Sequence, residues 1–219
     1  MSITPESVRA LLTSEDFGQR IKGINQLREL KRSQALELIL PVLQDPNPRI
    51  RYAAVSQMDS LAADDPAAVL PLLRSLLSDP EPDVQAAAAD TIGALKAEGA
   101  FDDLQALYER TSEWLVRVSV IAALGELGDP RAFDLLQTAL TSSNTLEQTV
   151  AIGSLGELGD PHAVQLLQPF VTDTDWQIRF RTVQALGRLN TPEARSLVAR
   201  MTDDAAEPVA DEARRLMSD

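Results

Sequence analysis

The chain has 219 residues, 33 of them acidic against 20 basic, a net charge of −13, and no cysteine. That balance argues against nucleic acid and against an anionic membrane surface, both of which need clustered Lys and Arg. Without thiols there is no disulfide framework, thiolate metal site or cysteine nucleophile, and with aromatics at only 4 % the core falls to small and aliphatic side chains.

The opening Met1-Ser2-Ile3-Thr4-Pro5-Glu6 lacks the basic and apolar regions of a signal peptide, and no run of ~18 apolar residues follows. The expected location is cytoplasmic. From there the apolar residues recur at helical spacing, in pairs of helices. First helices of each pair, on the outer side, are predicted over 4–13, 34–44, 66–77, 100–110, 130–140, 161–171 and 192–201. Second helices, on the inner side, are predicted over 16–30, 47–62, 81–97, 113–127, 144–158, 174–189 and 206–217. In the third pair, Val69, Leu70, Leu72, Leu73, Leu76 and Leu77 form the outer stripe, and Val84, Ala87, Ala88, Ile92 and Leu95 the inner one. Asp79-Pro80 separates them, read as an N-cap followed by proline at the first helical position. Asp45-Pro46, Asp129-Pro130, Asp160-Pro161 and Thr191-Pro192 repeat that punctuation. The acidic stretch from Asp203 to Asp219 reads as a solvent-facing cap.

The pattern is a repeat. Gly125-Glu126-Leu127-Gly128-Asp129-Pro130 returns unchanged 31 residues later as Gly156-Glu157-Leu158-Gly159-Asp160-Pro161. The apolar residues closing the inner helices, Leu27, Met58, Ile92, Leu124, Leu155, Leu186 and Leu216, are spaced 31, 34, 32, 31, 31 and 30 residues apart. Such periods mean an all-α solenoid in which each unit packs only on its neighbours. The expected fold is one right-handed superhelical domain, 1–219, of about seven stacked pairs whose inner helices line a concave face. At ~10 Å per pair the arc is roughly 70 Å long.

The runs Asp45-Pro46…Ile50-Arg51, Asp79-Pro80…Val84-Gln85, Val116-Arg117…Leu124-Gly125 and Ile178-Arg179…Leu186-Gly187 resemble HEAT repeats, and more narrowly the HEAT-like repeats of the phycobilisome (E/F-type) bilin lyase family. Within that group, Ser2-Ile3-Thr4-Pro5-Glu6-Ser7-Val8, the segment from Arg51-Tyr52 to Met58-Asp59, Ser112-Glu113-Trp114-Leu115-Val116 and Asp175-Trp176-Gln177-Ile178-Arg179 resemble the NblB-type phycobilisome-degradation proteins of cyanobacteria. The resemblance implies a factor that acts on phycobiliproteins (phycocyanin and allophycocyanin subunits) when the antenna is dismantled, alongside other degradation factors. It also implies phycocyanobilin as ligand, with no cofactor required. It transfers no catalytic motif.

Arg20, Arg51, Arg117 and Arg179 fall in register at the start of four inner helices, interrupted by Gln85, Gln148 and Glu212. Two readings stand side by side. The forks could grip the propionates of a bilin bidentately, or they could form a ladder with nearby aspartates, Arg51 with Asp45 and Arg179 with Asp173. Trp114 and Trp176 lie three residues before ladder arginines. They either face a bilin or a protein partner or cap the gap between repeats. Tyr52 and Phe180, just past ladder arginines, face the concavity or the core, with core packing expected; Tyr108 is expected to pack. The single histidine, His162, reads as a surface residue, and no serine sits in a Gly-x-Ser-x-Gly elbow. The bilin contacts expected on the concave face are therefore Trp114, Arg117, Trp176, Arg179, Tyr52 and Arg51. Three functions follow: a phycobiliprotein-binding factor that detaches bilins, a lyase subunit that attaches them, or a protein-binding scaffold.

Overall fold

A computed structural model describes residues 3–218. Met1 and Ser2 of the opening segment and Asp219 of the terminal cap lie outside it. The described residues form helices and turns throughout, arranged as seven pairs. The outer members are α1 (Pro5–Leu12), α3 (Arg32–Ile39, prolonged by a 3₁₀ turn Leu40–Gln44), α6 (Pro66–Leu76), α8 (Phe101–Arg110), α10 (Ala132–Ala139), α12 (Ala163–Leu167, prolonged by a 3₁₀ turn Gln168–Thr172) and α14 (Pro192–Arg200). The inner members are α2 (Phe17–Gln26), α4 (Pro48–Val55) with its continuation α5 (Met58–Leu61), α7 (Pro82–Ala94), α9 (Trp114–Leu127), α11 (Thr145–Leu158), α13 (Trp176–Leu189) and α15 (Glu207–Ser218). Two of the outer helices are broken where Pro41 and Pro169 remove a backbone donor, which tightens the last turn.

The inner helices stack directly on one another from α7 through α13, whereas the outer helices pack chiefly on their own inner partner. Small residues set this asymmetry. A Cβ placed on Gly93 would lie 2.6 Å from the Cα of Ala123. One placed on Gly125 would lie 2.6 Å from the Cβ of Ser154, and one on Gly156 2.7 Å from the Cα of Ala185. Close inner and wider outer spacing bends the stack, with the inner helices on the concave side. A single core of Leu, Ile, Val and Ala runs through all seven pairs, from Val8 to Ala213. The C-terminal helix seals it with Val209, Ala210 and Ala213.

The Asp-Pro punctuation works differently from the expected cap. The N-caps of α4 and α7 are Asn47 and Glu81, with Pro48 and Pro82 at the first helical position. The aspartates sit two residues earlier, where Oδ1 accepts from the backbone N–H two residues on: Asp45 from Asn47 at 2.8 Å, Asp79 from Glu81 at 2.9 Å. This is an Asx turn, which folds the connection and leaves the second carboxylate oxygen free for another task. Thr191-Pro192 alone is a cap as expected, Thr191 accepting from the N–H of Ala194.

Candidate functional site

Four ladder arginines lie at the inner-helix starts, partly buried, and each reaches forward into the next repeat. Arg20 Nε stands 3.1 Å from Asp45 Oδ2. Arg51 donates through Nε and Nη2 to both oxygens of Asp79, at 2.7 Å each. Arg179 grips Asp204 the same way at 2.7 and 2.8 Å. Arg117 takes Glu147 at 2.9 and 3.1 Å, and its guanidinium lies 4.0 Å above the Tyr108 ring, whose hydroxyl is 2.6 Å from Nη2. Hence the carboxylate partners of Arg51 and Arg179 are Asp79 and Asp204. Asp45 and Asp173 instead offer their backbone carbonyls, at 2.9 and 2.7 Å. Gln85 and Gln148 reproduce only this local half, donating to the carbonyls of Asp79 and Leu140. Hydrogen bonds from Arg179 hold the Asp204 carboxyl below the usual range against the opposing effect of burial.

The aromatic candidates are on the surface. Trp114 is 54 % exposed, Trp176 44 % and Tyr52 47 %. For Tyr52 this overturns core packing; it stands one turn into α4, where the concave side opens. Phe180, in the matching place on α13, is half-buried and packs on the core, and Tyr108 is buried. Trp114 and Trp176 occupy the first helical position of α9 and α13, where α2, α4 and α7 carry Phe17, Pro48 and Pro82. Phe17 and, on α11, Leu146 are exposed too, so among the described residues five of the seven large exposed apolar side chains lie within the first turn and a half of inner helices. Nothing in the periodic pattern predicted that concentration, because a solvent-facing helix start is normally polar. His162 is at the surface, its Nδ1 2.7 Å from Asp160 Oδ1.

The concave side carries a cleft of about 760 Å³ between α4–α5, α7 and α9. Tyr52, Pro48 and Leu115 form its apolar walls, and Ala86, Ala87 and Ala94 line it on α7. Arg49, Asp59, Glu81, Asp83 and Asp90 line it as well. The sequence reading missed Asp90, which takes the place that Ser56, Ala122, Gly153 and Gln184 hold in other repeats. A carboxylate in that row of otherwise small or neutral residues was the available signal. Asp90 opens to the cleft between protein walls. Restricted hydration pushes its carboxyl above the usual range, and the neighbouring Ser119 hydroxyl partly offsets this. Further along the inner helices, burial, Glu157 and Asp90 push Glu126 up as well. Of the six expected contacts, the structure brings only Tyr52 into this cleft; the tryptophans extend along the rim, and the arginines lie in the ladder.

Such a stack, with one continuous core and a ladder linking turn to turn, defines an α-solenoid repeat protein. Residues 5–79, 70–152 and 134–218 each match the family of HEAT repeats, and the chain belongs to it. Among solved structures it is similar to the complex of CpcE and CpcF of phycocyanin lyase from Nostoc sp. PCC7120, at 21 % identity and a TM-score of 0.68, covering 100 % of this chain and 95 % of that one. It is also similar to YibA of Escherichia coli (14 % identity, TM-score 0.65, 98 % and 81 % covered). A third likeness is to a HEAT-like repeat protein of the archaeon Thermococcus onnurineus NA1 (14 % identity, TM-score 0.58, 100 % and 97 % covered). At these identities the likeness is one of fold. No curated protein sequence matches the chain. Among the described residues no helix is long and apolar enough to cross a membrane.

Proposed function

We propose that this chain binds phycobiliproteins along its concave side during phycobilisome disassembly and loosens or detaches their bilins, as an NblB-type factor would. The observation that carries the reading is the exposed aromatic row Tyr52, Trp114 and Trp176 on a fold shared end to end with a phycocyanin lyase. Rigid aromatic side chains supply contact area at low entropic cost, whether against a protein surface or a tetrapyrrole. Two repeats separate Trp114 from Trp176, roughly 20 Å at ~10 Å per pair, which suits a protein surface better than one bilin. Arg51, Arg117 and Arg179 act in this reading by holding the helix starts in register, since their forks already grip carboxylates. Phycocyanobilin is the expected ligand, carried by phycocyanin or allophycocyanin subunits.

A second reading, attachment of phycocyanobilin as one subunit of a lyase, is favoured by the similar structure being a complex of two different chains, CpcE and CpcF. One experiment separates the readings. The protein is mixed with holo-phycocyanin and with the chromophore-free form, and binding and bilin absorbance are followed together. Binding with loss of attached bilin supports detachment. Binding with an unchanged spectrum leaves an adaptor. Bilin addition to the chromophore-free form only when a second HEAT-like chain is present supports the lyase subunit. Absence of binding to either form removes the phycobiliprotein reading and leaves a protein-binding scaffold.

A further inference from the structure

We infer that the cleft between α4–α5, α7 and α9 is a seat for a basic amphipathic helix of a protein partner. The inference goes beyond the proposed function, because the chemistry of the cleft decides what enters it whichever protein brings it. The cleft runs along α7 from Asp83 to Ala94. At ~1.5 Å per residue that is about 17 Å, the length of three helical turns. Alanines on α7 allow the backbone of an incoming helix to come close, as Gly93 and Ala123 allow α7 and α9 themselves. Tyr52 and Leu115 offer apolar contact at the sides.

Charge selects the occupant. Asp59, Glu81, Asp83 and Asp90 all open to the cleft, and none of them forms a salt bridge among the described residues. Among the described residues that line the cleft, Arg49 is the one cation facing them. An acidic helix would bring like charges together in the cleft, and a purely apolar one would strip water from carboxylates without replacing it. A helix with Lys or Arg on one face and Leu or Ala on the other satisfies both the walls and the carboxylates. A second copy of this chain is disfavoured by its own net charge of −13.

The test uses the full chain and two synthetic helical peptides with the same Leu/Ala face, one with Lys and one with Glu on the polar face. Affinities are measured by titration calorimetry for the wild type, for Asp83→Asn/Asp90→Asn, for Tyr52→Ala, and for Asp134→Asn/Glu193→Gln on the outer helices. Both double variants remove the same charge, and circular dichroism confirms folding. The seat predicts that the Lys peptide binds the wild type and the outer-face variant equally, while the groove double variant and Tyr52→Ala each lose about tenfold. Equal affinity for all four proteins would mean diffuse attraction to an acidic protein and would overturn the proposal. So would binding of the Glu peptide, or failure of the Lys peptide to bind at all.

Discussion

Neighbouring glycines serve unlike purposes at the residue scale. Gly125 lies in the body of α9, where an added Cβ would sit 2.6 Å from the Cβ and 2.7 Å from the Cα of Ser154. Gly128 ends the same helix at φ +73°, with nothing within 4 Å of an added Cβ. Gly125→Ala must push two stacked helices apart, an overpacking cost of about 1–3 kcal/mol. Gly128→Ala pays only the left-handed backbone penalty, about 1 kcal/mol. Asn190 caps α13 at φ 47°, so the chain already accepts asparagine in that role. Urea unfolding should therefore show Gly128→Asn close to wild type and Gly125→Asn severely destabilised; equal losses at both sites would contradict the close-packing account. The tryptophans are a different case. Being exposed, Trp114→Ala and Trp176→Ala should each change stability by no more than ~0.5 kcal/mol. Under the proposed function each should nevertheless weaken binding to phycocyanin by tenfold or more, the loss of an aromatic anchor. Unchanged affinity in both variants would remove the rim from the interface.

At the scale of the elements, the ladder shows what sequence can and cannot disclose. The Asp-Pro pairs marked the connections, but their Asx turns were not foreseen. Helix pairing and period were legible because helical spacing is local and the repeat recurs in the sequence itself. The register of Arg20, Arg51, Arg117 and Arg179 was legible for the same reason. Their carboxylate partners were not, because Arg51–Asp79 and Arg117–Glu147 join residues 28 and 30 positions apart, across the repeat boundary. The cleft was hidden likewise: Asp90 gains meaning only once α4, α7 and α9 lie side by side. Once the forward direction of the ladder is known, its gaps make sense. The repeat after Gln85 carries Thr111 where Asp45, Asp79, Asp173 and Asp204 stand elsewhere, and Val116 where Glu147 serves Arg117, so an arginine at 85 would have no carboxylate to meet. The repeat after Gln148 does carry one, Asp173, whose Oδ1 is used only by the N–H of Asp175. Gln148→Arg should complete that rung, keep the local bond to the Leu140 carbonyl, and stabilise by up to ~1 kcal/mol, the worth of a partly exposed pair. Gln85→Arg should give no gain. The measurement is the shift in urea midpoint of each variant; a gain at 85 equal to that at 148 would refute the rung-by-rung account.

For the whole molecule, acidity acts in two opposite directions, and their order along the pH axis can be worked out. Asp90 and Glu126 have folded values raised above the ordinary one, chiefly by burial. Their ionised forms strain the folded state at neutral pH, and that strain is relieved as pH falls through the raised values. Proton uptake there also reduces the self-repulsion of a chain with net charge −13. Asp204 has the opposite sign. Its folded value is depressed by Arg179, so its contribution is complete above the unfolded aspartate value, ~3.9, and is lost as pH falls through the lower folded one. Asp129, held down by Arg131, follows the same course. Stability should therefore rise from pH 8 toward mildly acidic conditions, pass a maximum near the ordinary carboxylate values, and fall below them as Asp204 and Asp129 protonate. Thermal unfolding at low salt across pH 8 to 3 reads this directly. Added salt should raise the melting temperature at pH 8 and flatten the acid-side gain, since it screens the repulsion between exposed charges more than the partly buried rungs. A melting temperature that falls steadily from pH 8 downward would refute the account, because the contributions of Asp204 and Asp129 are constant above the unfolded aspartate value and only the raised groups act there.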